Sequence, residues 1–279
     1  MGVNISLGNI LVGDGCPVFV IAEIGINHGG SIDEAMLLVR AAAEAGANAV
    51  KFQTYITEKR TPKGSPIYDI LKKCELPFSA FNTIKALADQ IGIQFFSTPF
   101  DDESINYLET IKCPYYKIAS FDIMNLNLIQ KIALTKKPVL LSVGMSDLQE
   151  ISRALEIIKK ETNQISLLHC VTSYPTDEKD ANLSAIRTLY KTFDHVIGQS
   201  DHTSGIDVPV FAVAAGAKIL EKHFMMSDSS ECPDAPVSIS KDKMKELIAR
   251  VRRVENILGS GRLGMREVEK KFAWLRRKQ

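Results

Sequence analysis

Two rhythms of hydrophobic and polar positions alternate along this chain. Short continuous apolar runs recur, and between them lie stretches whose apolar positions fall three and four apart. The first long run, 19–24, climbs to a single carboxylate, Glu23, then breaks into Asn27-His28-Gly29-Gly30 before a helix that opens at Ser31. A continuous apolar run predicts a strand buried on both faces. A carboxylate near the end of such a strand is costly unless it is paired or solvated in a cleft. Glu23 therefore marks the mouth of a site, and the glycines after it let backbone turn tightly and approach a ligand.

The same unit repeats. Segments 3–5 and 10–12 flank Gly8-Asn9 and predict a hairpin that caps a barrel floor. Ser31 with Glu34 three residues on predicts a capping box, and Gly46 closes that helix. Strands are predicted at 48–53, 94–99, 115–120, 138–142, 165–170, 195–198 and 217–224, with a polar turn at 198–201 and His202 after it. Helices are predicted over 80–91, 101–111, 126–135, 148–160, 183–191, 208–215 and 241–258. The connection 56–77 holds three prolines and a glycine. It is long for a compact domain, and such connections tend to be functional.

Strands alternating with helices imply a parallel sheet. Eight such units in about 250 residues match an α/β (β/α)8 TIM barrel with an N-terminal β-hairpin cap. A doubly wound open sheet is the alternative, but neither a G-x-G-x-x-G nor a P-loop pattern is present. The expected organisation is a catalytic barrel with its hairpin over 1–258 and a basic tail or linker over 259–279.

Composition narrows the function classes. At 279 residues, 45% hydrophobic and 24% charged, the chain can build a large core. A formal net charge of +1 gives no reason to expect nucleic acid or an anionic membrane as partner. The five cysteines, Cys16, Cys74, Cys113, Cys170 and Cys232, are scattered and form no CxxC pair, which suits reduced thiols in the cytoplasm. No leader pattern opens the chain, and no apolar run reaches the ~20 residues that span a bilayer. A soluble, cytoplasmic protein is expected.

In a barrel, reactive groups gather where strands end. Those positions hold Glu23, Lys51, Gln53, Thr98, Lys117, Ser120, Ser142, His169, Ser200, His202, Glu221 and His223. Two lysines with several hydroxyls suit a phosphorylated, carboxylated ligand. Two histidines with nearby carboxylates suit a divalent metal. Each residue also has a plain reading. A strand-end lysine can simply pair with a carboxylate, His223 can be a satisfied interior side chain, Glu221 can orient a neighbour, and His28 can bond to backbone. His169 reads as structural, and His195 is given no role.

Eight stretches, in order, resemble the sialic acid (nonulosonate) synthase family, the phosphoenolpyruvate-condensing enzymes. They are AEIGINHGG (22–30), AGANAVKFQT (45–54), FFSTPF (95–100), YYKIAS (115–120), LLSVGM (140–145), LLHCVTSYPT (167–176), IGQSDHT (197–203) and ILEKHF (219–224). The resemblance implies a barrel that joins phosphoenolpyruvate to an open-chain N-acyl hexosamine, in a homodimer. It implies His202 and His223 as ligands of a divalent metal, Mn2+ or Mg2+, with Glu23 beside it. Lys51, Thr98, Lys117, Ser120, Ser142 and Ser200 become the phosphoenolpyruvate shell, with Thr172 where many relatives carry an asparagine. Gln53, Tyr174 and Asp234 become sugar contacts, and Glu221 joins the substrate-binding set. Cys232-Pro233-Asp234 replaces a Gly-Pro-Asp turn. Family members usually continue into a small antifreeze-like domain, and a form without it is expected here. A related synthase for a phosphorylated aldose would need further basic residues, and no arginine stands at a strand end. A weakly catalytic phosphoenolpyruvate-binding subunit is the third expectation.

Overall fold

The computed structural model describes residues 3–276. Strands β1 (Asn4–Leu7) and β2 (Ile10–Gly13) pair antiparallel across Gly8-Asn9. Eight parallel strands follow: β3 (Phe19–Gly25), β4 (Ala49–Thr54), β5 (Gln94–Pro99), β6 (Tyr116–Ile118), β7 (Val139–Ser142), β8 (Ile165–His169), β9 (Val196–Asp201) and β10 (Ile219–His223). They close into a barrel in chain order, with β10 completing the ring against β3. The chain is a (β/α)8 barrel with an N-terminal hairpin.

The outer helices are α1 (Ile32–Ala45), α2 (Thr57–Arg60), α3 (Tyr68–Cys74), α4 (Phe78–Ile91), α5 (Asp102–Thr110), α6 (Leu126–Leu134), α7 (Leu148–Ile158), α8 (Ser184–Thr192), α9 (Asp207–Ala215) and α10 (Lys241–Leu258). Their apolar faces pack on the strands because a parallel sheet needs cover on both sides. Phe52, Phe81 and Phe95 meet in this layer with ring centroids 5.6–6.4 Å apart. The hairpin covers the end where the strands begin. Gln94 Nε2, at the start of β5, donates to Leu7 O at 2.9 Å, and Ser6 N donates to Gln164 Oε1 at 2.8 Å.

Register fixes which side chains share the lumen. Paired positions in a parallel sheet face the same way, and alternate residues face opposite ways. Glu23 pairs with Lys51, Gln53 with Thr98, Lys117 with Leu140, Ser142 with Leu168, Leu168 with Gly198, Ser200 with Glu221, and His223 with Glu23. The ring closes on one face with no change of parity. Gly198 is required there, since a Cβ would stand 2.5 Å from Leu168 Cδ2.

Several elements depart from expectation. The segment 198–201 is strand, not a turn. β9 continues through Gln199, Ser200 and Asp201, where Ser200 and Asp201 bond to Glu221 and Lys222 of β10 and Gln199 Nε2 donates to Asp201. β6 stops at Ile118, and Ser120 opens a 3-10 turn, Ser120–Asp122. Ser31 accepts from Glu34 N at 3.2 Å, but the return bond of a capping box is not among the described contacts. The full box is at Asp147 and Glu150, before α7. The tail holds an exposed 3-10 segment, Glu267–Leu275, and residues 277–279 of the expected tail lie outside the described residues. Among the described residues, no helix is long and apolar enough to cross a membrane.

Candidate active site

The C-terminal ends of the strands surround a cavity of about 380 Å³. Thirteen of the fourteen residues to which the resemblance gives a role line it: Glu23, Lys51, Gln53, Thr98, Lys117, Ser120, Ser142, Tyr174, Ser200, His202, Glu221, His223 and Asp234. Thr172 does not. It lines the hollow beside the loops after β7 and β8, and its Oγ1 lies 3.0 Å from Ser120 Oγ. Thr172 therefore reaches the cavity only through Ser120.

The floor carries four buried charges. Lys51 Nζ lies 3.2 Å from Glu23 Oε1 and 3.4 Å from Glu221 Oε1, and Lys117 Nζ lies 3.8 Å from Glu221 Oε1. Hydroxyls complete the set. Lys51 donates to Thr98 Oγ1 at 3.2 Å, Lys117 to Ser142 Oγ at 2.6 Å, and Ser200 Oγ to Glu221 Oε1 at 2.8 Å. Both carboxylates use one oxygen only, leaving Glu23 Oε2 and Glu221 Oε2 buried without a partner. Unsatisfied buried oxygens are costly, and both of these residues line the cavity.

The two lysines differ electrostatically. Burial disfavours the charge on Lys51, but Glu221 and Glu23 outweigh it and hold the ammonium above its usual range. Lys117 is pushed down by burial, with Lys51 adding to the effect. Burial raises Glu23. Burial would raise Glu221 as well, but Lys117 and Lys51 pull it down to about 2.

The imidazoles stand beside this floor, His202 and His223 having ring centroids 5.7 Å apart. His202 Nδ1 lies 2.8 Å from Val171 O and must donate to it, so Nε2 carries the lone pair. Tyr174 OH meets that Nε2 at 3.0 Å. Burial lowers His202 to about 3, with His223 adding to the effect. His223 Nδ1 lies 3.3 Å from Asp234 Oδ2. Burial opposes its charge, but Asp234 prevails and raises it. No three His, Cys, Asp or Glu side chains among the described residues already form a metal cage. The donor chemistry fits a divalent ion nonetheless. One imidazole is fixed with its Nε2 lone pair toward Tyr174, His223 Nδ1 lacks a full hydrogen bond, and Glu23 Oε2 is unpartnered.

Asn27 and Arg60 also shape this rim, and the strand-end rule does not reach them. Asn27 Oδ1 accepts from Asp234 N at 2.9 Å, while its Nδ2 donates to Phe224 O and Ser238 Oγ. It ties the Cys232-Pro233-Asp234 loop to the barrel rim, and its place in the Asn27-His28-Gly29-Gly30 break was the available signal. Arg60 lines the cavity from α2 and donates through Nη1 to Gln53 Oε1 at 2.8 Å. Gln53 Nε2 in turn donates to Glu23 Oε1 at 3.3 Å. Gly25 sits at a register shift between β3 and β4 with φ 54°. A Cβ there would stand 3.1 Å from Glu23 Oε1 and 3.2 Å from Gln53 Nε2. His169 is structural, its Nε2 bonding Ala181 O at 2.8 Å.

Comparison with known proteins supplies the lineage of this rim. The NeuB family profile matches residues 38–263. The chain belongs to the NeuB family. It is 38% identical to the N,N'-diacetyllegionaminic acid synthase of Legionella pneumophila subsp. pneumophila, covering 94% of this chain and 79% of that one. It is 36% identical to a pseudaminic acid synthase of Campylobacter jejuni, covering 90% and 77%. A crystal structure of N-acetylneuraminic acid (sialic acid) synthetase from Leptospira borgpetersenii, in complex with citrate, superposes with a TM-score of 0.96. It is 40% identical and covers 99% of this chain and 96% of that one. Of the buried floor, Lys51, Lys117 and Glu221 lie in the matched region, and Glu23 precedes it.

Proposed function

We propose that this NeuB-family chain condenses phosphoenolpyruvate with an open-chain acylamino aldose, giving a nonulosonic acid and inorganic phosphate. The observation that carries the reading is the floor of the cavity, where Lys51 and Lys117 converge among Thr98, Ser120, Ser142 and Ser200. A small ligand with both carboxylate and phosphate fits such a set of donors. The named relatives make legionaminic, pseudaminic and sialic acids, which supports a sugar as the second substrate. All five cysteines are free thiols, in keeping with a reducing, cytoplasmic setting.

The chemistry needs four events. The methylene carbon of phosphoenolpyruvate forms a bond to the aldehyde carbon. The aldehyde oxygen takes a proton. Water adds to the oxocarbenium left at the former enol carbon and gives up a proton. The carbon–oxygen bond to phosphate then breaks. Glu23, raised by burial and keeping a free Oε2, suits the proton traffic between aldehyde and water. Lys51 and Lys117 hold the anionic groups and offset the charge on departing phosphate. Glu221 anchors both ammonium groups and keeps them apart. Tyr174 and Gln53 orient the sugar at the rim. His202 and His223 would hold a divalent ion such as manganese, which as a Lewis acid makes a carbonyl more electrophilic.

The test is phosphate release from phosphoenolpyruvate, with Mn2+, across N-acetylmannosamine, its 6-phosphate, a diacetamido hexose and arabinose 5-phosphate. The reading expects release only when an acylamino aldose is present, and loss of release in His202→Ala. Turnover of arabinose 5-phosphate alone, or of phosphoenolpyruvate with no aldose, contradicts it.

A further inference from the structure

The cavity contains a cation that the reaction above leaves without a task. Arg60 ends α2, inside the long connection between β4 and α4, and lines the outer part of the cavity. Its guanidinium carbon lies 3.8 Å from the Phe100 ring centroid and 4.7 Å from that of Tyr55. Tyr55 is itself fixed, its hydroxyl donating to Leu71 O at 2.9 Å. One N–H group is committed to Gln53. Among the described residues the guanidinium pairs with no carboxylate, although Asp122, Asp234 and Glu23 act on it from a distance. A stacked, planar fork of donors with spare N–H groups is a receptor for an oxygen acceptor.

Its surroundings restrict which acceptor. Ile26, Ile67, Ile70 and Phe121 share the lining with Arg60. Ile67 is 50% exposed, Ile70 42% and Phe121 50%, so apolar surface stands open at the mouth. A dianionic phosphate would meet three carboxylates for one guanidinium, and nothing polar would use the apolar rim. An acyl group matches both parts, with a carbonyl oxygen for the donors and a methyl for the rim.

We propose that Arg60 is the specificity-determining residue for the aldose: its spare guanidinium N–H groups donate to the carbonyl oxygen of an acylamino substituent while the apolar rim receives the acyl methyl. This rests on the condensation reading above and adds to it the part of the sugar that is read.

The experiment compares wild type, Arg60→Met and Arg60→Lys on N-acetylmannosamine and mannose, in phosphate release and in direct titration of each sugar into phosphoenolpyruvate-loaded protein. Arg60→Met should raise the KM for N-acetylmannosamine about 10- to 100-fold, as expected for one hydrogen bond from a charged donor. The KM for phosphoenolpyruvate should not move, and the preference over mannose should shrink by the same factor. Arg60→Lys keeps the charge but not the fork and should recover only part of it. An unchanged preference in Arg60→Met overturns the proposal, as does a wild-type preference for N-acetylmannosamine 6-phosphate that this variant abolishes. If no acylamino aldose, a diacetamido hexose included, yields phosphate, the condensation reading fails, and the titrations still decide Arg60. Loss of acyl preference in Arg60→Met supports the role, and equal preference in both proteins overturns it.

Discussion

β10 contributes to two lysine–carboxylate groups on its opposite faces, one with Asp201 of β9 and one with Lys51 of β4 and Lys117 of β6, and the groups differ in construction. Outside the lumen, Lys222 Nζ donates to Asp201 Oδ2 at 2.6 Å and to Thr203 O, while Thr203 Oγ1 and Gln199 Nε2 fill the rest of that carboxylate. One residue away in sequence, Glu221 faces inward toward Lys51 and Lys117 and keeps Oε2 empty. Burial of charge is common to both. What separates them is the saturation of the carboxylate: both oxygens of Asp201 are bonded within the fold, although Gln199 Oε1 is not, whereas Glu221 bonds through Oε1 alone. A buried pair that is fully satisfied holds strands together, whereas one with spare lone pairs and spare donors stores binding capacity.

Breaking the outer group should have the largest effect. Lys222→Met leaves Asp201 buried and unpaired, a loss of about 3–5 kcal/mol measured as a lower urea midpoint. Activity per folded molecule should survive. A variant as stable as wild type would remove the contrast. Next comes the inner group: Lys117→Met should lower kcat/KM for phosphoenolpyruvate by about 100- to 1,000-fold, while the urea midpoint falls less than in Lys222→Met. A larger stability loss than in Lys222→Met would recast Lys117 as structural.

The imidazoles extend the comparison to pH. His28 lies outside the reacting groups, stacks on Phe52 at 6.0 Å, and is lowered by burial to about 4. The unfolded chain takes up this proton near pH 6.5 and the folded chain only near 4, so protonation favours unfolding. Stability from His28 is full above about pH 6.5 and drains as pH falls toward 4, by about 3 kcal/mol at most. Denaturation followed from pH 7 to 4 should show a slope that His28→Gln reduces; an unaltered slope counts against it. Smallest is Gly25→Ala. It forces a left-handed residue at about 1–2 kcal/mol and presses on Glu23 and Gln53, so kcat should fall more than the melting temperature suggests. Unchanged kcat would mean that the contact relaxes freely.

The barrel was legible because its signal is local and repeated: an apolar run, a polar residue at its end, an amphipathic helix. The inner groups were legible for the same reason, with Lys51 and Gln53, and Glu221 and His223, each two apart on a strand, and His202 just past the end of β9. The end of β9 was not, because Gln199, Ser200 and Asp201 look like a turn until their sheet partners are known. Arg60 was hidden more deeply. Its loop is held by distant bonds, Ile56 N to Asp101 Oδ2 at 2.8 Å and Thr57 N to Glu75 Oε2 at 2.9 Å, which no periodicity encodes. Asn27 was visible as part of a motif, but its grip on Asp234 joins residues 207 positions apart.

Titration of phosphoenolpyruvate into wild-type protein and into Lys117→Met, followed by heat, tests the inner group most directly. Saturable binding at one site in wild type, weakened about 100-fold or more in the variant, is the predicted result. Equal affinity in the two proteins would show that the lumen does not hold the enol phosphate.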